Sequence, residues 1–371
     1  MKRKLIPFIL LITAALLLSA CAGGSGVATS WPGISVDGET VYLAYNQHVY
    51  AIDLEDGTED WRYPAEPNNQ IAFYAPPTVA PDGQVLAGAY NNTLYSLNPE
   101  DTVQVEEVTS VRENWTFTGA GNRLIGGALA HEEGIFVPSA DNTLYALDLK
   151  GDLRWEFSTE EPLWARPTTD EACDCIYLPS MDHHIYAVDA ETGEQIWKSE
   201  DLGGSVVGTP TLSPEGVLYA GSFGSQMAAI DTQDGTILWS TPTSGWVWSG
   251  PLLHEGRLYF GDLEGTFYVL DAATGEVLNS SQPGSPIPEA PVLGDETVYF
   301  TAESGVLYAV DLEGKPVWDK AILGDNGRES KLFTSPVLAG DRILVAPMNI
   351  DQVLVALDLD GNRLWGFTPQ N

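Results

Sequence analysis

The chain has 371 residues, 44% of them apolar, and sets 17 lysines and arginines against 52 aspartates and glutamates, a formal net charge of −35. A surface this acidic repels nucleic acid and anionic lipid headgroups, which excludes both as natural partners. Past Cys21 only Cys173 and Cys175 remain, too few thiols for a closed zinc site.

In chain order, residues 1–20 read as a signal peptide. Lys2-Arg3-Lys4 is the charged start, and Leu5 to Leu18 is an apolar run too short and too closely followed by small residues for a spanning helix. Leu18-Ser-Ala-Cys21 resembles a bacterial lipobox, so Cys21 is expected to become the lipidated first residue. The alternative is an ordinary secretory signal with an incidental cysteine. Loss of Lys2, Arg3 and Lys4 takes the charge of the mature form to −38 (−35 minus 3). Residues 21–30 form a Gly- and Ser-containing tether. Ala22 stands where an Asp would retain a lipoprotein at the inner membrane. The expected location is the periplasmic face of the outer membrane in a two-membrane cell, otherwise the outer leaflet of the cytoplasmic membrane.

From residue 31 to 371 one phrase repeats. Its anchor falls at Asp53, Asn98, Asp148, Asp189, Asp231, Asp271, Asp311 and Asp358, at spacings of 45, 50, 41, 42, 40, 40 and 47 residues. That period, built from short strands separated by Gly, Asp and Asn, predicts an all-β fold, an eight-bladed β-propeller of four-stranded antiparallel blades. In each copy the Asp carboxylate accepts N–H groups of its own turn, and a Gly supplies the positive φ. A tryptophan follows on the outer strand at Trp61, Trp115, Trp155, Trp197, Trp239, Trp318 and Trp365, where it is expected to fill the wedge between blades. Blade 6 has Leu278-Asn279 there instead.

Ala-x-Asp-x-x-Thr-Gly-x-x-x-Trp, clearest at Ala187–Trp197, resembles the PQQ-type repeat of quinoprotein dehydrogenases and their non-enzymatic relatives. With Cys21, eight anchors and no added domain, the whole resembles the BamB-type propeller lipoproteins of outer-membrane β-barrel assembly. That resemblance implies a scaffold without catalytic residues, monomeric within a complex, whose partners are other envelope proteins and which meets the membrane through its lipid alone. The alternative is a ligand-binding or dehydrogenase-like propeller holding a sugar or quinone at the channel mouth. Quinoprotein dehydrogenases carry two directly adjacent cysteines, calcium ligands and a longer chain. Here Asp174 separates Cys173 from Cys175, and no calcium loop has its full spacing, so neither PQQ nor calcium is expected.

Aromatic residues outside the repeat gather just before the inner strands. Trp31, Trp164, Trp246 and Trp248 precede Pro32, Pro167 and Pro251. Three residues before such a proline stand Tyr74, Trp164, Trp248 and Phe333. Arg166 lies nearby, and the neighbouring loops contribute Asp182 and Asp262. Two readings fit: a recognition surface at one mouth of the channel, or rings that plug the channel as core.

Overall fold

The computed structural model describes residues 31–132 and 134–370. The segment carrying Cys21 lies outside them. The described chain is all β and contains no helix. Eight four-stranded antiparallel sheets follow one another in sequence order, each drawn from one stretch of chain, A to D from the channel outward; only in blade 8 does a short extra strand, Pro347–Met348, interrupt the order between B and C. Blade 1 comprises Gly33–Asp37, Thr40–Tyr45, His48–Asp53 and Glu59–Tyr63, and blade 8 ends with Arg363–Phe367. Blade 8 also carries a two-stranded ribbon pairing Lys331–Leu332 with Pro347–Met348.

The anchor turn works locally. Asp189 Oδ1 accepts the N–H groups of Glu191 at 3.1 Å and Thr192 at 2.7 Å, and Gly193 adopts φ 75°. These bonds hold the Asp189 carboxyl below its ordinary pKa. Asp53, Asp148, Asp231, Asp271, Asp311 and Asp358 accept turn N–H groups in the same way.

The turn glycine also has a neighbour. A Cβ built on Gly193 would stand 2.6 Å from the ring of Trp155, one blade earlier. The same face-on approach joins Gly151 to Trp115, Gly235 to Trp197, Gly275 to Trp239, Gly361 to Trp318 and Gly57 to Trp365. Each indole lies in the wedge between two blades, and several donate Nε1–H to the carbonyl that follows the next anchor. Trp155 donates to Ala190 at 3.2 Å, Trp197 to Thr232 at 2.8 Å and Trp239 to Ala272 at 3.1 Å. In blade 6 the amide of Asn279 substitutes for the missing indole, giving Nδ2–H to Glu313 O at 2.7 Å. Trp365 donates to Leu54 O at 3.2 Å, so the seam between blades 8 and 1 closes with the same chemistry as the rest.

Blade 2 departs from the pattern. Asn98 does not close a tight turn. Its strand C runs on from Leu94 to Val105 and returns from Val108 to Phe117 as one long hairpin. The hairpin covers Trp61 and Tyr63 of blade 1, where a turn glycine would otherwise sit. Ser110 Oγ donates to Arg62 O at 2.6 Å, and the Tyr63 hydroxyl donates to Glu113. The insertion accounts for the 50-residue spacing that follows Asn98. It also opens a groove of about 690 Å³ lined by Asp82, Asn98, Glu100, Asn114, Trp115 and Lys150.

Candidate functional site: the aromatic mouth and the channel beneath it

Strand A of each blade starts at one end of the channel, so the residues just before it ring that end. Register fixes the ring. Trp248 stands six residues before His254, which pairs Arg257 across the A–B hairpin. In blade 1 the equivalent pair is Asp37 and Thr40, and six residues before Asp37 is Trp31. Pro32 therefore aligns with Ser249 rather than with Pro251. This corrects the grouping of Pro32 with the inner-strand prolines Pro167 and Pro251. Trp31 is the ring member of blade 1.

The aromatic residues do not form one even ring. Trp31 stacks on Phe333 at 5.9 Å and meets Trp248 edge-on at 6.0 Å. Phe223, on the B–C loop of blade 5, stacks on Trp246 at 4.9 Å and lies 5.3 Å from Trp248. One cluster thus joins blades 8, 1, 5 and 6 across the mouth. It is only partly covered, since Trp31 is 44% exposed and Trp246 52%. Tyr74 belongs to a separate group, stacked on Tyr90 at 3.6 Å, with the Arg123 guanidinium 4.9 Å above the Tyr90 ring. Trp164 is half-buried, and its carbonyl packs 2.9 Å from where a Cβ would stand on Gly126. Sequence reasoning missed Arg123 and the bridge that Phe223 makes between the two tryptophans.

Two acidic members turn their carboxylates onto their own surroundings. Asp262 is fully buried. It accepts N–H groups of Gly245, Glu264 and Thr266 and the Tyr268 hydroxyl, all between 2.9 and 3.1 Å. It clamps its loop and offers nothing to a partner. Asp182 does the same for blade 4, accepting the Tyr186 hydroxyl at 2.7 Å and Glu160 N–H at 3.2 Å. The sequence gives the residue type at these loop tips but not the direction of the carboxylate.

Two charged residues lie just before strand A in their blades, Arg166 in blade 4 and Glu289 in blade 7. Arg166 passes Gly127 of blade 3, its Cδ 3.8 Å from where a Cβ would stand. It keeps contact with water yet is walled by protein, which lowers its pKa. Glu289 is half-buried. Ser335 Oγ donates to its Oε2 at 3.2 Å. Burial pushes the Glu289 carboxyl up to about 8, against the pull of Ser335. Glu289 escaped the sequence reading because it sits in a Pro-rich stretch, Pro286 to Pro291.

The raised pKa has a signed consequence. From the ordinary 4.5 to about 8, the unfolded chain releases this proton while the folded one keeps it. Folding therefore loses stability as pH rises through that window. Glu289→Gln should match the parent near pH 4 and exceed it by about 1–2 kcal/mol near pH 9, with the shift discounted for channel water. Thermal melts at both pH values check this, and an equal gain at both would refute it.

Comparison with known proteins adds the family. The model described as "Outer membrane protein assembly factor BamB" matches residues 22–172 and 181–370. The chain belongs to this BamB family. BamB of Bordetella pertussis is 25% identical over 150 residues, covering 38% of this chain and 36% of that protein. "Methanol dehydrogenase [cytochrome c] subunit 1" of Methylobacterium organophilum is 29% identical over 167 residues, 39% of this chain and 26% of the enzyme. The chain thus matches only about a quarter to a third of the length of these relatives. The crystal structure of BamB from Moraxella catarrhalis superposes with a TM-score of 0.68 at 18% identity, covering 90% of this chain and 96% of that one. At that identity the likeness is one of fold. Among the described residues no helix is long and apolar enough to cross a membrane, and no three His, Cys, Asp or Glu side chains gather as a metal site.

Proposed function

We propose that this BamB-family propeller is a non-enzymatic scaffold of the bacterial cell envelope, lipid-anchored through Cys21 and docking other envelope proteins, with outer-membrane β-barrel assembly as its setting. The observation that carries the reading is the family match across nearly the whole chain. The half-exposed cluster of Trp31, Trp246, Trp248 and Phe333 is the docking surface, with large rings at its centre.

The anchor and the docking surface are tested separately. Cys21→Ser should leave the protein unprocessed or soluble; unchanged mass and membrane association would refute lipidation. Trp248→Ala should weaken capture of envelope partners by about 2 kcal/mol or more, as loss of a central aromatic anchor does. Capture undiminished by Trp248→Ala and by Trp246→Ala would remove the mouth from the interface.

A second reading rests on the methanol dehydrogenase likeness. It makes the mouth a quinone site. Clean protein should then carry a stoichiometric quinone chromophore and turn over alcohols. We favour the scaffold because the paired cysteines sit on the A–B hairpin of blade 4, at the end of strand A opposite the mouth, and are not adjacent.

A further inference from the structure

Cys173 and Cys175 form a disulfide across a sequence separation of 2, at the tip of the blade 4 A–B hairpin. A bridge closing so short a loop removes less freedom from the unfolded chain than one closing a long loop, so stability is a weak reason for it. The hairpin is held without it. Asp170 pairs with Cys175 across the strands, Asp170 Oδ1 accepts Ala172 N–H at 2.9 Å, and Ala190 N–H bonds Asp174 O at 2.8 Å.

The two sulfurs differ in access. Cys173 is exposed, whereas Cys175 lies in the strand and is 4% exposed. An incoming thiolate can therefore reach only one sulfur of the pair. The Tyr177 hydroxyl is 3.6 Å from Cys173 Sγ and donates to Asp170 Oδ2 at 3.0 Å, which leaves its oxygen free to accept from a Cys173 thiol. Exposed disulfides with one accessible sulfur are the ones that exchange.

The surroundings select the partner. Asp170, Glu171 and Asp174 stand around the bridge. His131 faces Glu171 at 3.8 Å, and Arg154 is engaged at the carbonyl of Glu191, on the next turn. The local field is negative, as is the whole chain. It repels anionic thiols and draws a thiol flanked by positive charge.

We propose that Cys173–Cys175 is a thiol–disulfide exchange site for exported proteins whose cysteines lie among lysines and arginines. The substrate thiolate attacks Cys173 Sγ. The bond to Cys175 breaks, and its electron pair leaves on Cys175 Sγ, which takes a proton. The substrate is then joined to Cys173 as a mixed disulfide. A second thiolate of the substrate attacks its own sulfur in that bond, releasing the substrate disulfide and a Cys173 thiolate that is protonated in turn. Two electrons and two protons pass from the substrate dithiol to the pair.

The test uses the full chain with Cys21→Ser, so that Cys173 and Cys175 are the remaining cysteines. Cysteamine, a cationic thiol, should open the bridge roughly three- to tenfold faster than 3-mercaptopropionate, an anionic one, at low salt, and the ratio should shrink in high salt. Rates are compared per thiolate at matched pH. With Cys175→Ser added, Cys173 should form a mixed disulfide with cystamine. With Cys173→Ser instead, Cys175 should react at least roughly tenfold more slowly, as burial of the sulfur requires. Thermal melts of oxidised and reduced protein should coincide. Equal rates for the two probes, or equal reactivity of the two single cysteines, would overturn the proposal. So would a reduced protein that has lost its fold, because the bridge would then be structural.

Discussion

Trp197→Ala should cost about 3–5 kcal/mol of stability, the range for large core truncations. The ring is 7% exposed. It stacks on Tyr177 at 5.6 Å, faces Gly235 of blade 5, and bonds Thr232 O at 2.8 Å. Truncation opens a cavity in the wedge between blades 4 and 5 and leaves that carbonyl without its donor. Trp248→Ala removes an equally large ring from the mouth, where water already reaches the cluster, so its loss should be clearly smaller. Chemical denaturation of the two variants beside the parent decides. Equal losses would make the mouth core packing and withdraw it as a docking surface.

Gly57→Val should destabilise by about 2–4 kcal/mol. Gly57 adopts φ 77°, and a Cβ there would stand 2.5 Å from the Trp365 ring. Both costs act together: the left-handed backbone that a β-branched residue rarely adopts, and overpacking against an indole that the carbonyl of Leu54 holds in place. Gly38→Val is the control. It has a positive φ of 56° but nothing within 4 Å of the added Cβ, so it reports the backbone cost alone. A variant at Gly57 no worse than one at Gly38 would show that the indole gives way freely.

What the sequence reveals and what it hides divide on physical grounds. The anchor at Asp189 is legible because its turn is closed by bonds between neighbours in the chain. The wedge role of Trp197 is legible because the ring recurs with the turn. The hairpin of blade 2 is hidden, because Asn98 and Trp115 preserve both marks of the repeat and the extra residues lie between them. Trp31 shows the opposite error: Pro32 imitates an inner-strand start, and only hairpin pairing fixes the register. At the mouth, residue types suggest a ring, but Trp31, Trp248 and Phe333 meet each other through contacts between blades far apart in sequence. The inward turn of Asp262 depends on Tyr268 and the Gly245 N–H, partners that no local pattern announces.

The seam from Trp365 to Leu54 and Gly57 carries a last consequence. Because that joint repeats the indole-to-carbonyl bond found at most other seams, and because the four strands of each blade come from one stretch of chain, the ring has no privileged starting blade. A circular permutant that links residue 370 to residue 31 and opens between blades 4 and 5 would exchange one chain connection for another while keeping every inter-blade contact. It should fold to the same propeller, with its termini moved roughly halfway round the circumference.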